Sequence, residues 1–232
     1  MVRSIINQMG ILDLIFPKNC LECKKEGKYI CSDCIQKVRL ARSVCSYCGV
    51  YSFFGKTHEN CKRKYSLDGV YSIWKYDGVV RKAIIALKYK FANEISKEIA
   101  NEAKKELKKL EIFSKNSILI PVPLHTKREN WRGYNQATEI GKLIAKDFKW
   151  KFIPDLLIRK IQTKPQVGLS GSERVGNVKN VFEINPKYKI KNFKKQIIIF
   201  DDVYTTGSTL KEAGKVLKNI GFSDVWGLTI AR

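Results

Sequence analysis

Residues 201–209 combine the side chains best suited to holding a sugar phosphate. Asp201 and Asp202 follow four apolar residues, a pattern typical of a strand buried on both faces of a parallel sheet. Ligands gather at the carboxyl ends of such strands, and a following helix offers unpaired N–H groups to an anion. We therefore predict ribose contacts at the two carboxylates and a phosphate-binding loop after them. The predicted loop residues are Thr205, Thr206, Gly207, Ser208 and Thr209. The alternative is an acidic turn that only caps a helix.

This stretch resembles the ribose-phosphate loop of type I phosphoribosyltransferases, in which an apolar strand is followed by DD, a short gap and TTGST. The resemblance implies that Asp201 and Asp202 contact the ribose hydroxyls of phosphoribosyl pyrophosphate. It also implies that residues 205–209 take the 5′-phosphate. A Walker-type P-loop is excluded, because no GK[ST] triplet with the required glycine spacing is present.

A second anion-binding loop is predicted after the apolar residues 117–122. Two prolines stiffen its start, and basic side chains follow closely. A pyrophosphate group would fit there, and a plain basic surface loop is the alternative. The predicted pyrophosphate-binding residues are Pro123, Leu124, His125, Lys127, Arg128 and Arg132.

The N-terminal quarter contains four pairs of metal-binding side chains, each with two residues between its members. Three pairs are C-x-x-C, and the fourth joins His58 to Cys61. Thiolate and imidazole ligands in sets of four are typical of structural zinc. The simplest pairing is sequential, and an interleaved one stays open. It gives a first site of Cys20, Cys23, Cys31 and Cys34, and a second of Cys45, Cys48, His58 and Cys61.

The charge of the chain points to polyanionic partners. Its 232 residues include 44 Lys and Arg against 22 Asp and Glu, a formal net charge of +22. Nucleic acid, phosphorylated substrates or an acidic membrane surface would suit this balance, and a Lys-rich surface without a partner is the alternative. In the zinc-binding part, basic residues alternate with aromatic ones, as in single-strand binding surfaces. The basic residues concerned are Arg39, Arg42, Lys56, Lys62, Arg63 and Lys64, and the aromatic ones are Tyr47, Tyr51, Phe53, Phe54 and Tyr65.

The remaining pattern predicts an α/β domain with a mostly parallel sheet, which would position these loops. We predict strands over 70–76, 117–122, 150–153 and 225–230 and helices over 79–90, 95–110, 137–148 and 208–219. Residues 156–184 are polar and contain glycine, which indicates a flap rather than a core element. We place a boundary after residue 66, between a helix-plus-zinc module (1–66) and the α/β domain (67–232).

The first sixteen residues have helical apolar spacing, which predicts a short amphipathic helix rather than a secretory signal. No apolar run approaches the ~20 residues of a membrane span. Reduced thiols and the lack of a signal predict a cytoplasmic protein, and a place at the inner face of the membrane stays open.

Taken together, the chain resembles the ComF family of competence proteins, which pairs a double zinc ribbon with a type I phosphoribosyltransferase-like domain. Three motifs carry the resemblance: PVPLH with RGYNQ at 121–136, the T, Q, L, R and N spacing at 163–177, and DDVYTTGST at 201–209. His58 stands where cysteine is more usual in the family. The resemblance implies handling of single-stranded DNA during natural transformation.

Three hypotheses follow for the function. As an enzyme of nucleotide metabolism or salvage, the protein would use Asp201 and Asp202 as catalytic residues, with magnesium and phosphoribosyl pyrophosphate. As a binding module, it would hold phosphoribosyl pyrophosphate, a related nucleotide or single-stranded DNA without turnover. As an assembly protein, its ribbon would recruit a DNA-uptake helicase or a recombination loader.

Overall fold

The computed structural model describes residues 18–87, 92–124, 129–131, 133–160, 180–189 and 194–232. The predicted amphipathic helix over residues 1–16 lies outside the described residues. So do residues 161–179 of the predicted flap and four residues of the predicted pyrophosphate loop. These four are His125, Lys127, Arg128 and Arg132.

A five-stranded parallel sheet forms the centre of the α/β part, with strand order β1-β7-β6-β2-β3. The strand that ends in the acidic pair, β6, lies in the middle of this order. A separate antiparallel pair joins β4 to β5. The strands are β1 (Gly69–Trp74), β2 (Ile118–Pro121), β3 (Lys151–Phe152), β4 (Leu157–Arg159), β5 (Phe182–Ile184), β6 (Ile197–Val203) and β7 (Val225–Ala231). The predicted α/β class with a parallel sheet is therefore confirmed.

Among the described residues, one short α-helix lies in the zinc-binding part and four longer ones flank the sheet. Two of the longer helices begin at polar caps: Asp77 accepts the Gly78 N–H, and Asn135 accepts those of Ala137 and Thr138. The helices are α1 (Ser32–Gln36), α2 (Gly78–Ala86), α3 (Ala92–Leu107), α4 (Gln136–Phe148) and α5 (Ser208–Asn219).

The middle strand β6 is buried on both faces, as its unbroken apolar run predicts. Ile198 and Phe200 face the core that contains α2, α3 and α4, and Ile197 and Ile199 face the core under α5. Alternate residues of a strand point to opposite faces, so each face receives every second side chain. The acidic pair is thereby fixed at the end of a central strand whose apolar residues are buried on both faces.

The zinc-binding part covers the outer edge of β1. The Ala41 N–H donates to the Ile73 carbonyl at 3.0 Å, and the Lys75 N–H donates to the Arg39 carbonyl at 2.9 Å. Farther along, Gly55 lies so close to β1 that a Cβ there would be 1.8 Å from the Val70 carbonyl oxygen. Only glycine fits this contact, and its positive φ of 76° also favours glycine. The edge strand of the sheet is thus paired rather than open to solvent.

The prediction of a flap over residues 156–184 is wrong at both of its ends. Leu157 and Phe182 are buried in the core under α5 and belong to the β4–β5 hairpin. Two short apolar stretches separated by a long polar one gave too weak a pattern to predict this pairing. In the part of the chain that the structure describes, no helix is both long and apolar enough to span a membrane.

Candidate metal centres and phosphate-binding site

The first four cysteines converge on one point. The Sγ atoms of Cys20, Cys23, Cys31 and Cys34 all lie within 4.8 Å of one another, and those of Cys23 and Cys31 are 3.7 Å apart. Tetrahedral zinc with Zn–S bonds of about 2.3 Å would separate two sulfurs by about 3.8 Å. The arrangement therefore fits zinc, and all seven cysteines are free thiols.

In the second group, the four side chains of the sequential pairing lie together, and His58 is one of them. Its Nδ1 lies 3.5 Å from the Cys48 Sγ and 4.0 Å from the Cys61 Sγ, and Cys45 completes the set. A tetrahedral zinc would place nitrogen and sulfur ligands about 3.6 Å apart. His58 Nε2 lies 3.1 Å from the Tyr51 carbonyl oxygen. If Nε2 donates there, Nδ1 is left free to bind the metal.

Both metal sites begin with the same tight turn. The Lys24 N–H donates to the Cys20 carbonyl, and the Gly49 N–H donates to the Cys45 carbonyl, each at 3.0 Å. Lys24 and Gly49 have positive φ angles of 66° and 74°. The turn aims backbone N–H groups at the first cysteine of each site.

These N–H groups lower the pKa of the first cysteine of each site. Burial alone would raise the pKa of Cys20, but backbone N–H donors from Cys23 and Cys31 lower it to about 6. Donors from Cys48 and His58 likewise bring the pKa of Cys45 down to about 7 against the effect of burial. By contrast, burial raises the pKa of Cys34 to about 12. Zinc must therefore displace a proton from Cys34 when it binds.

The acidic pair lies at the carboxyl end of β6, where both side chains are half-buried. Asp201 Oδ1 accepts the Asp202 N–H at 2.9 Å. Burial raises the pKa of Asp201 well above its usual range, and the neighbouring Asp202 carboxylate raises it further. Arg159 of β4 acts in the opposite direction. A cation or hydroxyl donors at this point would relieve the unfavourable charge.

The loop after the pair has the geometry of an anion-binding turn. Gly207 has a φ of 72°, and a Cβ there would lie 2.4 Å from the Tyr204 hydroxyl oxygen. Glycine is thus required for both conformation and space. The Thr206 and Ser208 hydroxyls are 2.9 Å apart, and Thr206 Oγ1 also accepts the Ser208 N–H at 3.4 Å, at the start of α5. Hydroxyls and helix N–H groups therefore converge where a phosphate would bind.

A basic cavity of about 520 Å³ adjoins this loop at Tyr204 and Thr205. Four cationic side chains line it, two from the zinc-binding part and two from the residues that directly follow β1 and β7. They are Arg39, Arg42, Lys75 and Arg232. Burial raises the pKa of Tyr76 in this cavity, Arg81 opposes the shift, and Asp202 adds to it. The cavity thus lies within electrostatic reach of the acidic pair.

Sequence reasoning missed Lys75 and Arg232 as site residues, although a signal was present. Each stands directly after a strand of the parallel sheet, Lys75 after β1 and Arg232 after β7. Because parallel strands end at one edge, both belong beside the acidic pair. Arg159 falls within the predicted flap, yet its charge acts on Asp201 and its guanidinium lies 5.5 Å from the Phe182 ring centre.

Of the predicted pyrophosphate loop, the structure describes Pro123 and Leu124, and both are half-buried. The Val122 N–H just before them donates to the Phe200 carbonyl at 2.8 Å, next to the acidic pair. Asn135 donates from its side chain to the Val122 carbonyl at 3.0 Å, tying the start of α4 to the same point. The loop therefore starts beside the acidic pair, and its four basic residues lie outside the described part.

Two tetrads of zinc ligands ahead of an α/β domain, with an acidic pair and a glycine-containing loop at the end of a parallel strand, define a zinc-ribbon protein that also has an α/β domain. The family model of the double zinc ribbon domain matches residues 11–63. Competence protein F of Haemophilus influenzae is 30% identical over 234 residues, which cover 93% of this chain and 98% of that protein. The chain therefore belongs to the ComF family.

Two further similarities are more distant. DNA utilization protein YhgH of Escherichia coli K12 is 25% identical over 213 residues, 86% of this chain and 89% of that protein. A solved structure of a hypoxanthine phosphoribosyltransferase from Staphylococcus aureus gives a TM-score of 0.35 at 15% identity, covering 59% of this chain and 62% of that one. That structural similarity is too weak to bear on function.

Proposed function

We propose that this protein acts in DNA uptake during natural transformation, binding a phosphoribosyl pyrophosphate-type ligand and single-stranded DNA. The names of its relatives, a competence protein and a DNA utilization protein, support this role. The observation that carries the proposal is the acidic pair and phosphate loop beside a cavity lined by four cations. A sugar phosphate would use the pair and the loop, and a pyrophosphate group would find positive charge next to them.

In this proposal the two carboxylates bind the ribose hydroxyls, and the loop from Thr205 to Thr209 binds the 5′-phosphate. Magnesium suits the oxygen ligands available there and would neutralise pyrophosphate charge when bound. Pro123, Leu124 and the basic residues that follow them are proposed to hold the pyrophosphate. The protein would work in the cytoplasm, and residues 1–66 and 67–232 would be its two functional parts.

DNA binding is proposed from the charge of the chain and from where the basic residues lie. Arg39 and Arg42 of the ribbon line the cavity beside the loop together with Lys75 and Arg232 of the sheet. Contacts between such residues and phosphates release condensed counterions, so affinity should fall steeply with salt. Recruitment of a helicase or recombination loader by the ribbon stays a prediction.

Calorimetry with phosphoribosyl pyrophosphate and magnesium tests the ligand site. Replacing both carboxylates, Asp201→Asn with Asp202→Asn, should abolish binding because the ribose acceptors are lost. Unchanged affinity in the double variant would show that the pair is only a turn.

Replacing Asp201 alone should also make the protein more stable. Because the pKa of Asp201 is raised in the folded protein, its ionised form disfavours folding, and this cost disappears as the pH falls and the group is protonated. Asp201→Asn should therefore stabilise the protein by about 0.5–2 kcal/mol at neutral pH, the range that single stabilising substitutions commonly give. The gain should shrink toward acidic pH, which denaturation at several pH values would measure. A gain that is the same at every pH would contradict the explanation from charge.

A further inference from the structure

A groove of about 640 Å³ separates the second half of the ribbon from α5, and its floor includes Thr206 and Ser208 of the phosphate loop. We call it the interdomain groove. Its ribbon wall contains Tyr47, Arg63, Lys64 and Tyr65, and its α5 wall contains Lys211 and Lys215. It therefore opens directly from the predicted 5′-phosphate position.

The walls of this groove combine cations with aromatic rings. The Arg63 guanidinium lies 5.1 Å from the centre of the Tyr47 ring, and the Lys64 ammonium lies 5.2 Å from that of Tyr65. Four cations face one acid, Glu212, whose carboxylate already accepts the Asn180 N–H at 2.7 Å. The charge of the groove is thus complementary to a polyanion, and the tyrosines offer flat surfaces for bases.

The acidic pair does not line this groove. A phosphoribosyl ligand places its ribose toward the pair, so the groove extends from the opposite side of the same phosphate. A free phosphomonoester has nothing attached on that side. A phosphodiester has a neighbouring nucleoside there, and this nucleoside would meet the tyrosines and the cations.

Resting on the function proposed above, we propose that single-stranded DNA places one phosphodiester in the phosphate loop and the adjoining base in the interdomain groove. DNA and phosphoribosyl pyrophosphate then compete for the loop. The acidic pair serves only the second ligand, since internal nucleotides of DNA have no vicinal hydroxyls to offer. Because both ligands use the phosphate loop, binding of one excludes binding of the other.

The test measures binding of a fluorescent oligothymidylate about twelve nucleotides long by anisotropy, within the range of strand lengths that such grooves cover. Phosphoribosyl pyrophosphate with magnesium at ten times its own Kd should raise the apparent Kd for DNA about tenfold, by mass action on a shared site. Ionic strength is held constant. In the double variant Asp201→Asn with Asp202→Asn, DNA affinity should be retained and competition lost. Full DNA affinity with saturating phosphoribosyl pyrophosphate bound to the unmodified protein would overturn the proposal.

Tyr47→Ala and Tyr65→Ala should each weaken DNA binding about fivefold or more, the lower end for loss of one base stack. Neither change should alter the affinity for phosphoribosyl pyrophosphate. The matched control is Tyr51→Ala, because Tyr51 lies on the same ribbon outside the groove and is 54% exposed against 52% for Tyr47. Zinc content checks that each variant is folded. An equal loss in Tyr51→Ala would overturn the groove assignment.

The double variant Lys211→Ala with Lys215→Ala tests whether DNA binds through the lysines of the groove or only through the overall positive charge of the protein. If both lysines contact phosphates, the log–log slope of affinity against salt should fall by about 1.4, at ~0.7 for each contact. Lys142→Ala, an exposed lysine of α4 away from the groove, should leave the slope unchanged. Failure of the unmodified protein to bind either ligand would instead refute the proposed function itself, so the two failures are distinguishable.

Discussion

The two metal sites have nearly the same ligands but very different surroundings. Cys20, Cys31 and Cys34 of the first site are buried in the same apolar core as α2 and α3. Among the described residues, no ligand of the second site belongs to either large core. The second site instead lies where the ribbon borders the interdomain groove, at Tyr47 and Arg63. The first tetrad is thus part of the apolar core, whereas the second supports the surface that borders the interdomain groove.

Polar contacts strengthen this difference. The Ile30 N–H beside the first site donates to the Glu98 carboxylate of α3 at 2.8 Å. Lys82 of α2 forms an ion pair at 3.2 Å with Glu22, which lies between Cys20 and Cys23. The second half of the ribbon is held at Gly55, which lies against β1, and at Thr57, whose hydroxyl donates to the Leu67 carbonyl at 2.6 Å. The α/β core should therefore stay folded when the second metal is lost.

The largest expected effect comes from replacing one cysteine in each site. Cys34→Ser removes a buried ligand of the shared core and should lower Tm by roughly 10 °C or more, at ~2–4 °C for each kcal/mol lost in a chain of this size. Cys48→Ser removes an exposed ligand of the second site and should lower Tm by only a few degrees, about 1 kcal/mol. Thermal denaturation of the two zinc-loaded variants provides the comparison. Equal losses would break the distinction between a core-building and a surface-building site.

The next effect concerns His58. His58→Ala should reduce zinc from two ions per chain to one, because three ligands leave the second site open, and the first site should keep its metal. His58→Cys is the matched control and should retain both ions, since thiolate is also a zinc ligand. Metal content measured after dialysis decides the matter. Retention of two ions in His58→Ala would mean that the imidazole is not a ligand.

The smallest effect tests the contact between the first site and α3. Glu98→Gln weakens the charged acceptor of the Ile30 N–H and should cost about 1 kcal/mol, or ~2–4 °C in Tm, with zinc content unchanged. Glu102→Gln on the same helix removes the i,i+3 ion pair with Lys105 and should cost less, because such surface pairs contribute little. If Glu102→Gln proves the more damaging change, α3 does not support the first site through Glu98.

Local signals were enough to predict much of this molecule. The apolar run before Asp201 predicted a strand buried on both faces, and β6 has that position. Equal spacing of the ligand pairs predicted the zinc tetrads, and the helix over residues 208–219 has the predicted bounds. Each of these features depends on residues that are close together in the sequence.

What sequence reasoning missed depends on residues far apart in the chain. Gly69 pairs with Trp226 across the β1–β7 register, and this pairing brings Lys75 beside Arg232. The interdomain groove requires α5 to face the second half of the ribbon. The hydrophobic periodicity of the sequence does not predict this packing. Strands β4 and β5 pair with each other although a long polar stretch separates them in the sequence. Such contacts are set by packing of the whole chain, so local patterns could not reveal them.

The pairing of the ribbon with the edge of β1 has a consequence for the protein during zinc shortage. Without metal, residues 39–41 and the segment around Gly55 would lose the framework that holds them against the sheet. The bare edge of β1 would then be exposed as a template for another chain, which favours aggregation. The supply of zinc to newly made chains would therefore govern how much of this protein stays in solution.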